Sequence, residues 1–132
     1  MNTVIRNIIL PAILIAFINA CDRHDHHVAP ASVNIEILKP QTGLAYGPGD
    51  SVKMHINITS PAPMHGYELH ITRLSDNKEV YYKEKDLHEK DCNIREFWMY
   101  NENCNSEMEL EIIAHIDHEG NTSSKKTKFY CH

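Results

Sequence analysis

Met108-Glu109-Leu110-Glu111-Ile112-Ile113-Ala114-His115-Ile116 is the stretch that decides the fold class. Met108, Leu110, Ile112, Ala114 and Ile116 take every second position, while Glu109, Glu111 and His115 fall between them. Side chains of a strand point alternately to opposite faces, so this period of two marks a strand with one buried face. Downstream, Lys125 to Tyr130 reads as the last strand, with Thr127 and Phe129 turned inward. Asp117-His118-Glu119-Gly120-Asn121 lies between the two. Asp suits the first position of a turn, and Gly supplies the left-handed residue that closes a hairpin.

Working back toward the N-terminus, the same period recurs. Val33, Ile35 and Ile37 alternate with Asn34 and Glu36 until Lys39-Pro40. Val52, Met54, Ile56 and Ile58 alternate with Lys53, His55, Asn57 and Thr59, and Pro61 and Pro63 end the run. Tyr67, Leu69 and Ile71 alternate with Glu68, His70 and Thr72. Val80 to Lys83 is expected as a short partner strand, and the aromatic-rich Ile94 to Tyr100 as an extended one. Gly43 to Asp50, with three glycines and a proline, is expected to be turns, and the charged run Lys85 to Asp91 a solvated loop. About seven strands without a helical period indicate an all-β, antiparallel β-sandwich.

The first twenty residues are different in kind. Arg6 precedes the almost wholly apolar Ile8 to Ile18, the pattern of a secretory signal too short to span a bilayer as a stable helix. Ile18-Asn19-Ala20-Cys21 follows and resembles the lipobox of bacterial lipoproteins, with Asn19 departing from the usual small residues. That resemblance implies cleavage before Cys21 and lipidation of its thiol. The alternative is an ordinary signal that leaves Cys21 unmodified or in a disulfide. One acyl chain holds a protein to a membrane only marginally, whereas several hold it firmly. The expected organisation is a signal peptide at 1–20, a histidine-rich tether at 21–32 and a single domain at 33–132. The expected location is the bacterial cell envelope, lipid-anchored, on the periplasmic or surface face of the outer membrane.

The opening Ile-x-x-Pro (Ile37 to Pro40), the Gly-x-Gly-Asp turn (Gly47 to Asp50) and the final Ala-x-x-Asp-x-x-Gly-Asn hairpin (Ala114 to Asn121) resemble the immunoglobulin-like, fibronectin-III-like domains of bacterial surface proteins. The resemblance implies an immunoglobulin-like sandwich and carries little about function. More narrowly, His65-Gly66-Tyr67 and the terminal Cys131-His132 are similar to features of single-domain, histidine-rich lipoproteins of Gram-negative bacteria.

Ten histidines in 132 residues are the compositional anomaly, and histidine-rich chains read as metal-binding. Neutral imidazole suits zinc, copper and nickel. In the expected sandwich, His65 opens the third strand, His115 and His118 flank the last hairpin, and His24, His26 and His27 precede the first strand, all at one pole. If the third strand pairs with the penultimate one, outward-facing Glu68 and His70 lie beside His115 and Ile113, since cross-strand neighbours are ~5 Å apart. His65, His70, His115 and His118, with Glu68 or Asp117, are therefore the candidate ligand set for zinc or copper, joined by the tether histidines. His132 is expected near Glu107 at the opposite pole. The plain alternative is that each exposed histidine is a solvated polar residue, as expected for His55 and His88. Met54, Met64 and Met108 are expected in the core or at its rim, although Met64 beside His65 offers a thioether of the kind that favours copper(I).

Apart from Cys21 the cysteines are Cys92, Cys104 and Cys131. Cys92 and Cys104 are candidates for a disulfide, but three cysteines allow three pairings and the sequence does not choose. Without the signal, 12 Lys and Arg stand against 18 Asp and Glu, a formal charge of −6 with no basic stripe, which argues against nucleic acid. No Gly-x-Ser-x-Gly, His-Glu-x-x-His or P-loop supports catalysis. The first expectation is thus a non-enzymatic, membrane-anchored protein that binds zinc or copper, with an outer-membrane transporter or surface protein as partner. The alternatives are a structural module docking through a sheet face, or a carbohydrate binder using Trp98 and nearby tyrosines.

Overall fold

A computed structural model describes residues 32–101 and 105–132. Cys21, His24, His26, His27 and Cys104 lie outside the described residues, as do the signal and nearly all of the tether. The strands are β1 (Asn34–Lys39), β2 (Ala45–Tyr46), β3 (Ser51–Thr59), β4 (Gly66–Arg73), β5 (Lys78–Asp86), β6 (Asp91–Met99), β7 (Ser106–His115) and β8 (Thr122–Cys131).

They form two sheets, one ordered β1-β3-β6 and the other β2-β8-β7-β4-β5. β3, β4, β6 and β7 hold the places of strands B, C, E and F of an immunoglobulin-type sandwich, and β5 extends the sheet beyond C. The alternation decides which face is buried. Val52, Met54, Ile56 and Ile58 from β3 and Ile94 from β6 meet Tyr67, Leu69 and Ile71 from β4 and Met108, Leu110, Ile112 and Ala114 from β7 in one apolar core. Complete burial of one such aliphatic side chain contributes about 1.5–3 kcal/mol, so the matched alternation of the two sheets fixes the register.

Three expectations need correction. There are eight strands, and the extra one lies in the stretch read as turns: Ala45 and Tyr46 pair in parallel with Tyr130 and Cys131 of β8. Gly43 and Gly49 adopt left-handed φ angles of 79° and 89° on either side of it, which lets the chain turn in and out around two residues of strand. The charged run Lys85 to Asp91 is strand at both ends, leaving only 87–90 as a connection. Tyr130, rather than His132, faces Glu107, so His132 lies beyond the Ser106–Cys131 pair. It is still at the end of the sheet opposite His115.

The β4–β7 pairing has the expected neighbours, with Glu68 opposite Ile113 and Gly66 opposite His115. This brings the 60–65 connection, the 87–90 connection, the 116–121 hairpin and the start of β1 to one pole. Three backbone bonds join the first two of these: Ser60 N–H to Lys90 O (2.8 Å), Met64 N–H to Glu89 O (3.0 Å) and Leu87 N–H to His65 O (3.2 Å).

Candidate functional site

The histidines expected to form one cluster occupy two separate sites. At the loop pole, His65 N–H donates to His115 O (2.8 Å), which seats His65 beside the final hairpin. The hairpin is held by Asp117, whose Oδ1 accepts from Glu119 N–H (2.9 Å) and Asn121 N–H (3.1 Å) and whose Oδ2 accepts from the Asn121 amide (2.7 Å). Those bonds, the Asn121 side chain foremost, hold the Asp117 carboxyl below its ordinary pKa. They place His118 over His65, with ring centroids 3.6 Å apart and planes inclined by 43°. The Leu87–His65 bond brings a third ring, His88, to 5.3 Å from His65, nearly perpendicular to it.

His65 is the least solvated of the three. Its Nδ1 is buried and has no hydrogen-bond partner among the described residues. Desolvation, with the neighbouring His118 and His88 adding to it, lowers its pKa below the ordinary 6.5, against the opposing pull of Asp117. The neutral ring is the form that can offer a lone pair to a metal. Among the described residues, however, no three His, Cys, Asp or Glu side chains are arranged to hold a metal ion. The three rings are stacked and edge-on, and Asp117 is occupied by its turn.

On the outer face of the larger sheet the chemistry is reversed. Glu68 accepts from His115 Nε2 through Oε1 (2.7 Å) and from His70 Nε2 through Oε2 (2.9 Å). His70 Nδ1 donates to Glu79 Oε2 (2.7 Å). With a carboxylate at each ring nitrogen, the protonated form of His70 is favoured. Desolvation opposes this, but the bonds to Glu79 and Glu68 outweigh it and raise its pKa above 6.5. Glu68 is lowered by its bond to His70, against burial, with His115 contributing further. Both ring nitrogens of His70 are therefore engaged, and Glu68 is already shared between two imidazoles.

His65 and His118 thus meet as expected, and His70 and His115 are drawn away from them onto the sheet face. His88, read from the sequence as a solvated residue, completes the pole. The missing signal was non-local, because only the zipping of 60–65 onto 87–90 places it there. Met64 is buried in the core, as are Met54 and Met108. Trp98 is half-buried, packed against the core with its ring 5.8 Å from that of Tyr100. Cys92 is half-buried near the start of β6, at the histidine pole; its proposed mate, Cys104, is outside the described residues. Cys131 is buried at the other end of the sandwich.

No protein-family model matches the chain, and no curated protein matches it. Among solved structures it is similar to Spo0M, a sporulation control protein from Bacillus subtilis, at 13% identity and a TM-score of 0.47 over 79% of this chain. The match spans half the length of that protein. A CARDB domain from Pyrococcus furiosus, in complex with di-metal ions, is similar at 6% identity and a TM-score of 0.45, over 76% of this chain and 90% of that one. At such scores neither likeness bears on function, and the strand order given above defines the fold.

Proposed function

We propose that the protein is a non-enzymatic, lipid-anchored immunoglobulin-like module of the bacterial cell envelope that captures a divalent transition metal, zinc or copper, at its loop pole. The observation that carries this reading is the unpartnered Nδ1 of His65 beneath the exposed rings of His88 and His118. Buried polar atoms are normally hydrogen-bonded, and an orphan one calls for a ligand. A metal would need the rings to turn from their stacked arrangement. His88 and His118 are on exposed connections, where rotation sacrifices little packing. His65 would be the fixed ligand and the other two the mobile ones, with His24, His26 and His27 available to complete the coordination. Lipid on Cys21 would keep the site at the membrane, where a transporter or surface protein could receive the metal.

Calorimetric titration of the metal-free protein with zinc and with copper tests this reading. The expected result is stoichiometric binding near neutral pH that weakens sharply at about pH 5.5, because a protonated imidazole cannot ligate. It should be lost in the His65→Ala/His88→Ala/His118→Ala variant. Binding that survives in that variant but disappears with substitution of His24, His26 and His27 would move the site to the tether. No binding to either metal would overturn the reading.

A further inference from the structure

We propose that the edge of β6, which no other described strand pairs, and the outer face of the three-stranded sheet receive an acidic, extended segment of a partner protein, added as a further strand. The proposal is independent of the metal site, which lies at the loop pole.

A sheet edge exposes backbone donors and acceptors to any passing strand, and folded proteins blunt their edges with bulges, prolines, charges or brevity. Three of the four edges here are blunted. β1 carries a register shift between Ile37 and Lys39 and ends at Pro40. β2 has only two residues. β5 pairs through a shift at Ile71/Thr72 and is lined by Lys78, Glu79, Glu84, Lys85 and Asp86. β6 differs: it pairs with β3 without a register shift over all nine residues and contains no proline. Its charges are fewer than those of β5: Asp91 at its start, Arg95 on the outer face, and the inward Glu96, which is paired to Lys83 at 2.6 Å.

The face beside that edge specifies the partner. Phe97 is 64% exposed and Met99 44%, side by side on the outward positions of β6. Lys53 stands opposite Phe97, and the next row runs Lys39, His55, Arg95. Lys39, Lys53, His55, Arg95 and Phe97 border a depression of about 330 Å³. No acidic side chain pairs with Lys39, Lys53 or Arg95 among the described residues, although the chain as a whole has a formal charge of −5. Arg95 is also oriented, because its Nε donates to Asn93 Oδ1 (3.0 Å) while the Asn93 amide donates to His55 Nε2 (3.0 Å). That leaves the terminal guanidinium nitrogens to grip a carboxylate in two-pronged fashion. A second copy would set like charges against each other, since two β6 edges paired antiparallel about their midpoint place Arg95 of one beside Arg95 of the other. A lipid surface would match the cations but not the row of backbone groups. An extended segment with carboxylates on one face and apolar residues between them matches all three features.

The test uses a fluorescent peptide repeating Glu-Thr-Val-Thr, whose Glu and Val share one face of the strand, a matched peptide repeating Lys-Thr-Val-Thr, and phosphatidylglycerol vesicles with the Cys21→Ser protein so that no anchor contributes. The acidic peptide should bind and shift the amide resonances of β6. Arg95→Glu and Phe97→Asp, both at exposed positions, should each weaken it by at least about tenfold, as expected when an interfacial charge or apolar anchor is lost. The melting curve of each variant should match that of the wild type. Equal binding of the basic peptide, binding by neither peptide, binding to vesicles alone, or self-association reversed by Arg95→Glu would each overturn the proposal.

Discussion

His65 and His70 bracket the first half of one strand, and their imidazoles are driven in opposite directions. His65 stands against two other rings with a buried, unbonded nitrogen, and its pKa falls. His70 lies between two carboxylates, and its pKa rises. Strand periodicity places one before the sheet begins and the other on its outer face. The difference teaches that histidine number does not define a metal centre. A histidine with both ring nitrogens bonded to carboxylates is engaged in the sheet's own network, whereas one with an unpartnered ring nitrogen and a lowered pKa is the better placed for ligation.

The most severe way to break this comparison is to disturb the residue that joins the two regions. Gly66 follows His65 and faces His115, and a Cβ there would lie 2.6 Å from Lys85 O. Gly66→Ala should force β4 from β5 and cost about 2–3 kcal/mol, read by urea unfolding, because a packed interior tolerates inserted atoms poorly. Both the His65–His88 contact and the His70–Glu79 bond should weaken. A wild-type denaturation midpoint would show that the pole does not depend on this close approach.

Glu68→Ala acts on one region only. It removes the acceptor shared by His70 and His115 and should cost about 1–2 kcal/mol, the scale of charge-assisted bonds at a partly buried site. The His70 pKa should move down and that of His65 should stay in place, both measured by imidazole NMR.

Titration of the wild-type protein sharpens the contrast further. His70, raised above 6.5, contributes stability that is complete below that value and lost as pH rises through its folded pKa. Glu68, lowered from 4.5, contributes above that value and loses its contribution as pH falls through its folded pKa. His65, lowered from 6.5, destabilises the fold as pH falls from 6.5 through its own folded pKa. Acidification should therefore loosen the loop pole before it loosens the sheet-face network. Hydrogen exchange at 116–121 and at β4 should show that order, and the reverse order would undo the comparison. The smallest effect belongs to His132, whose backbone N–H bonds Tyr46 O (3.0 Å) away from both regions. His132→Ala should change stability by less than about 0.5 kcal/mol and leave the His65 and His70 titrations in place.

The sandwich was legible wherever alternation was long. Val52 to Ile58 puts a polar residue at every second position and Met108 to Ala114 does so except at Ile113; those runs identified the buried face, while the pairing of β4 with β7 followed from the expected sandwich topology. β2 was not legible, because two residues between glycines have no period. His88 was not legible because its neighbours are set by backbone bonds between two connections distant in sequence. The division of the histidines was half visible. Outward alternation put Glu68 and His70 near His115, but the second carboxylate on His70 comes from Glu79, across a strand pairing whose register shifts at Ile71/Thr72.

Zinc titration of the metal-free protein near neutral pH, followed by the imidazole NMR signals of every histidine, tests the central claim most directly. The account predicts that the His65, His88 and His118 signals change in proportion to added zinc and saturate stoichiometrically, while those of His70 and His115 stay where they were. Zinc that moves His70 and His115, or that leaves His65 unchanged, would contradict it.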